Sequence, residues 1–121
     1  MINESGSFSM IEHLFVYGTL QPGRENVHLL ESIGGRWQKA WVLGHLYPQG
    51  FASTEGYPAL VLDSSGPEVA GYLFSSTALE THWPALDDFE GDGYRRMVAT
   101  VRTEAGEATE AWLYEAADPG M

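Results

Sequence analysis

Hydrophobic and polar positions alternate in short runs along most of this chain, and the period changes only once with any clarity. His13–Tyr17 reads as a first strand, closed by the turn signals Gly18 and Gln21-Pro22-Gly23. Glu25–Ser32 has the spacing of a short helix ending at Gly34-Gly35, and Arg36–Tyr47 reads as a strand or one arm of a bent hairpin. After a loop over Pro48–Gly56, Tyr57–Leu62 and Glu68–Phe74 read as strands joined by the turn Asp63–Pro67. Two more strands, Tyr94–Arg102 and Ala108–Tyr114, flank the turn at Ala105-Gly106. Between the two pairs lies the segment with helical period, Thr77–Gly91. Many strands with one clear helix and one short one predict an α+β fold: a small mixed β-barrel or strongly curved sheet with one or two flanking helices.

The helical segment carries the first chemical anomaly. At about 100° per residue, Leu79, Trp83, Leu86 and Glu90 fall within roughly 60° of one another, on a single stripe. A glutamate in line with three core-facing residues predicts a carboxyl partly removed from water, and burial raises a carboxyl pKa. A Glu titrating near neutrality both accepts and donates protons. The alternative is a buried ion pair with Arg95 or Arg96. Asp87 and Asp88 fit a solvated acidic face. Glu90 fits such a face poorly, since a carboxylate in the last turn opposes the helix dipole. Thr77 and Glu80 have capping-box spacing. Pro84 requires either a kink or a continuous helix that starts near Trp83.

Length and composition narrow the chemistry. With 121 residues the chain is expected to form one domain over residues 11–115. Residues 1–10 read as a flexible leader and 116–121 as a flexible tail, with fraying from Glu115. There is no cysteine, which excludes disulfides, thiolate zinc sites and a cysteine nucleophile and is compatible with the cytoplasm. A net charge of -11 and only six basic residues argue against nucleic acid and anionic membranes as partners. No apolar run approaches the ~20 residues of a membrane span. The four histidines lack metal-ligand spacing, so no metal site is expected; G-x-S-x-G and nucleotide-binding glycine patterns are also missing. Gly18 permits a backbone nest that holds an anion, or merely ends a strand. Tyr57-Pro58 reads as a rigid turn that enters a strand and is a candidate pocket wall.

The motifs together resemble the gamma-glutamylcyclotransferase-like (AIG2-like, BtrG-like) superfamily. In order they are Phe15-Val16-Tyr17-Gly18-Thr19-Leu20, Gly23 and Asn26, Tyr57-Pro58-Ala59, Val69-x-Gly71-x-Leu73, Leu86-Asp87-x-x-Glu90-Gly91, Tyr94-x-Arg96 and Ala111-Trp112-x-Tyr114. The likeness runs from His13 to Tyr114, and Leu86–Glu90 is most similar to the gamma-glutamylamine cyclotransferase branch. It implies a small barrel enzyme without metal or organic cofactor, acting on a small-molecule substrate. The reaction implied is intramolecular aminolysis: the substrate's α-amino group attacks its γ-carbonyl, closing 5-oxoproline and expelling an amine or amino acid. By this resemblance Glu90 is the general base and acid. The amides of Gly18, Thr19 and Leu20 hold a carboxylate or oxyanion, and Tyr17 and Tyr114 line the pocket. Arg96 either balances the pocket's charge or forms a structural ion pair. A non-catalytic module that binds a small carboxylated ligand, and an assembly domain, are the competing readings. Oligomeric state is not encoded in any pattern found.

Overall fold

The computed structural model describes residues 11–119, so the expected leader at residues 1–10 and the last two residues of the expected tail lie outside the described residues. Six strands form: β1 His13–Val16, β2 Arg36–Tyr47, β3 Ala59–Leu62, β4 Glu68–Ser75, β5 Tyr94–Thr103 and β6 Ala108–Ala116. Two short helices, α1 His28–Glu31 and α2 Trp83–Glu90, complete the regular elements, with 3-10 turns at Ala52–Thr54 and Leu79–Thr81.

The sheet closes on itself. Strand order is β3-β2-β4-β1-β6-β5, and β2 pairs again with β5. Five strands (β2, β4, β1, β6, β5) therefore make a barrel, with β3 as an extra strand. The β1–β6 pair is parallel, through Leu14 opposite Trp112, and the others are antiparallel. One edge of β2 runs beside β4 from Arg36 to Leu43. Its other edge is shared, by β5 at Ala40 and Trp41 and by β3 from Gly44 to Tyr47. Where β3 and β6 lack a ladder, the buried Glu115 carboxylate spans the gap. It accepts from the Leu62 amide at 3.1 Å and from Arg95 at 3.1 and 3.2 Å.

Strand alternation sorts the apolar residues into two layers. Phe15, Val42, Leu60, Leu73, Val101 and Leu113 fill the barrel. Their neighbours Leu14, Val16 and Phe74 point outward and meet Leu30 of α1, Leu79, and Trp83 and Leu86 of α2. Gly71 lets β4 lie close to β1, since a Cβ there would strike the Val16 carbonyl and the Phe15 ring. Helix α2 is too short to persist alone. Burial of Trp83 and Leu86, each contributing roughly 1.5–3 kcal/mol, holds it to the barrel.

Local boundaries differ from expectation for specific reasons. The Asn26 amide bonds back to the Thr19 carbonyl, which keeps Glu25–Val27 out of the helix and shortens α1. The capping box at Thr77 and Glu80 does not form; the Ser76 hydroxyl accepts from the Ala78 amide at 3.1 Å, and a 3-10 turn follows. Pro84 falls in the first turn of α2, where its missing donor is harmless, so the continuous helix starts at Trp83. Leu79 is fully buried all the same, carried into the outer layer by the 3-10 turn. Glu115 and Ala116 belong to β6 and are buried, in contrast to the expected fraying from Glu115.

Candidate active site

A cavity of about 470 Å³ opens where the turn after β1, the Ser53–Pro58 loop and the end of α2 converge. Its wall includes Tyr17, Gly18, Thr19, Leu20, Glu90 and Tyr114, so six of the seven residues singled out from sequence meet at one place. Asn26, Tyr57, Pro58 and Tyr94 join them, along with Ser53, Thr54 and Gly93. Gly93 makes the last contact possible, because a Cβ there would run into the Ser53 carbonyl.

The turn after β1 is held by its carbonyls. Gly18 O accepts from both the backbone and the side-chain amide of Gln21, each at 3.1 Å. Asn26 donates its backbone amide to Thr19 O at 2.9 Å and its side-chain amide to Thr19 Oγ1 at 3.0 Å. The amides of Gly18, Thr19 and Leu20, by contrast, donate to no protein acceptor among the described residues. Backbone donors without a protein acceptor, on residues of a cavity wall, are the kind of groups that can hold an anion.

Glu90 sits at the C-terminal end of α2, with Gly91 ending the helix at φ 80° and donating its backbone N–H to Asp87 O at 3.0 Å. Burial, reinforced by the charge of Asp87, pushes its carboxyl up to about 7. It makes no ion pair among the described residues. Arg95 goes to Glu115, and Arg96 goes to Asp87. The ion-pair alternative for Glu90 is thereby answered.

Of the two roles open to Arg96, the structure shows the ion pair, with Asp87, and it does not place Arg96 on the cavity wall. It grips Asp87 with two bonds, Nε to Oδ1 at 2.9 Å and a terminal nitrogen to Oδ2 at 3.2 Å. Its guanidinium also lies 4.4 Å from the ring centres of both Trp83 and Trp112. A role in direct contact with substrate does not fit that position. Asp87, read from sequence as a solvated acid, accepts from the Tyr114 hydroxyl at 2.7 Å as well. Its partial burial works against ionisation, but the bonds from Arg96 and Tyr114 outweigh it and hold the carboxyl below its ordinary value.

The tyrosines spend their hydroxyl protons inside the protein. Tyr17 donates to the Tyr114 carbonyl and accepts from the Leu60 amide at 3.2 Å; Tyr94 donates to Pro58 O at 2.7 Å. Burial raises all three phenols, with Glu90 adding to each, and takes Tyr94 to about 12. They act as neutral walls and ties. Tyr94 and Asn26 belong to the sequence motifs, yet nothing in their spacing assigned them a place at the cavity. Among the described residues no three His, Asp or Glu side chains converge as metal ligands.

Within a small mixed barrel, a glutamate raised by burial thus shares one cavity wall with backbone amides that have no protein acceptor among the described residues. The family described as gamma-glutamyl cyclotransferase, AIG2-like, matches residues 14–120, and the chain belongs to that family. A candidate gamma-glutamylcyclotransferase of Halalkalibacterium halodurans is 40% identical over 53 residues, 44% of this chain and 42% of that protein. Among solved structures, YkqA from Bacillus subtilis superposes with a TM-score of 0.68 at 27% identity, over 91% of this chain and 37% of YkqA. An AIG2-like protein from Mus musculus gives 0.64 at 25% identity, over 90% of this chain and 79% of its own. This chain thus spans less than half the length of the first two of these relatives.

Proposed function

We propose that this protein is a gamma-glutamyl cyclotransferase that releases 5-oxoproline from a gamma-glutamyl amine or gamma-glutamyl amino acid. The observation that carries the reading is Glu90: a carboxyl without a cationic partner, titrating at about 7, on the wall of a cavity it shares with the Gly18–Leu20 amides. Glu90 takes a proton from the substrate's α-ammonium, and the freed amine attacks the γ-carbonyl carbon. The tetrahedral oxyanion so formed is held by the Gly18–Leu20 amides, and such donors typically contribute a few kcal/mol. Glu90, now protonated, gives its proton to the departing nitrogen as the C–N bond breaks, and the second proton of the attacking nitrogen passes to the released amine, so that the lactam closes neutral and the leaving group departs as an ammonium. A carboxyl near neutrality suits both half-reactions, and the scheme calls on no cofactor. The absence of cysteine accords with a cytoplasmic setting.

The test is Glu90→Gln, which keeps the shape and removes the proton. Release of 5-oxoproline from a panel of gamma-glutamyl compounds is expected to fall by about 10²–10⁴-fold or more. Wild-type turnover by that variant would refute the assignment of the base. If the unaltered protein is thermally stabilised by the panel but turns nothing over, the site is a binding module instead.

A further inference from the structure

Asp87 occupies a crossing point that the reaction scheme does not use. Its Oδ1 takes both the Tyr114 hydroxyl and Arg96 Nε, while Oδ2 takes the second guanidinium nitrogen. Arg96 is held in turn between Trp83 of α2 and Trp112 of β6. One carboxylate thereby ties the helix that bears Glu90 to strands β5 and β6, three residues before Glu90 itself.

We propose that Asp87 is a positioning residue for Glu90, and that the Asp87–Arg96–Tyr114 clamp fixes the last turn of α2 and keeps the neighbouring guanidinium out of the cavity. This rests on Glu90 being the working base. The clamp puts a partly neutralised negative charge near Glu90, and its two charged members, Asp87 and Arg96, therefore act on Glu90 in opposite directions. Loss of the Asp87 charge removes a like-charge neighbour and leaves Arg96 without its anion; both changes favour ionised Glu90. Loss of Arg96 leaves Asp87 uncompensated and disfavours it. A brace with only a mechanical role has no reason to produce opposite signs.

The remaining groups around Glu90 do not reverse this expectation. From the turn after β1 and from β5 and β6 it is faced by Tyr17, Tyr94 and Tyr114, whose phenols are all raised and stay neutral through the relevant range. Glu55 and Asp92 share the cavity wall, and they are common to every variant compared. Among the described residues no Lys, Arg or His side chain lines the cavity.

The experiment titrates Glu90 by carboxyl ¹³C NMR in the unliganded wild type, Asp87→Asn, Asp87→Glu and Arg96→Gln, alongside kcat/KM against pH. Asp87→Asn is expected to move the Glu90 midpoint and the acid limb of kcat/KM about one pH unit to the acid side. Arg96→Gln is expected to move both to the basic side, and Asp87→Glu to restore most of the wild-type position. Unchanged midpoints, or shifts of one sign in both charge-removing variants, overturn the proposal. Should Asp87→Asn fail to fold, the sign of the Arg96→Gln shift still decides. The NMR readout needs no turnover, so an inactive protein with opposite shifts leaves the clamp standing and removes only the cyclotransferase reading.

Discussion

Burying the Glu90 carboxyl carries a stability cost whose pH dependence is fixed by its sign. In the unfolded chain it titrates at its ordinary 4.5, and in the folded protein at about 7. Below about pH 4.5 both states hold the proton and the burial is electrostatically free. Between 4.5 and 7 the unfolded state ionises first, so this group erodes stability as pH rises, by up to about 3 kcal/mol above pH 7. Glu90→Gln lacks the charge. Its thermal midpoint is expected to gain on that of the wild type as pH climbs from 5 to 8, measured by calorimetry. A gap that stays constant over that range would show Glu90 to be ionised in both states. Periodicity made the burial of Glu90 legible through Trp83 and Leu86, which share its stripe in α2, while Leu79, on that stripe only in an unbroken helix, belongs to the 3-10 turn. The same periodicity placed Asp87 on an acidic flank, and its bonds to Tyr114 and Arg96 come from strands β6 and β5, which no helical pattern encodes.

At the scale of elements, the extra strand β3 has no ladder to β6 of the barrel, and Glu115 bridges the two. The residue is 6% exposed, and its carboxylate is the acceptor for the Leu62 amide and for Arg95. Replacing Glu115 by Ala leaves the Leu62 amide without its partner, at a cost of about 1–3 kcal/mol. Denaturant unfolding should register that loss as a lower midpoint with an unchanged slope; an unaltered midpoint would mean that β3 needs no such tie. Because β3 runs from Pro58 and Tyr57, both on the cavity wall, the variant is also expected to weaken substrate binding more than turnover. Strand positions were mostly readable from alternation and turn residues, to within one or two residues. The end of β6 was not. Glu115, Ala116 and Ala117 look like a fraying polar tail, and only pairing with Tyr94 and Arg95 of β5 draws the first two into the barrel.

Across the whole molecule, charge is distributed so that, among the described residues, the acidic and basic side chains that line the cavity are all carboxylates. Glu55, Glu90 and Asp92 lie on its wall, and the two arginines nearest in sequence are bound elsewhere, Arg95 to Glu115 and Arg96 to Asp87. If the cyclotransferase reading holds, leaving amines with an additional ammonium group are expected to give higher kcat/KM than leaving amino acids without one. Each exposed carboxylate is worth roughly 0.2–1 kcal/mol, up to about fivefold, and the preference should shrink in high salt. Equal kcat/KM for gamma-glutamyl-diamines and gamma-glutamyl-alanine would dismiss this electrostatic selection. The sequence by itself determined the strand-rich class, the family motifs and the suspicion attached to Glu90, because local period and residue order carry that information. Only the tertiary structure decided that Arg96 belongs to Asp87, that the tyrosine hydroxyls are spent on protein acceptors, and that the Gly18–Leu20 amides are left free. Those outcomes depend on closure of the sheet, which brings residues from β1, α2, β5 and β6 together through contacts that sequence spacing does not specify.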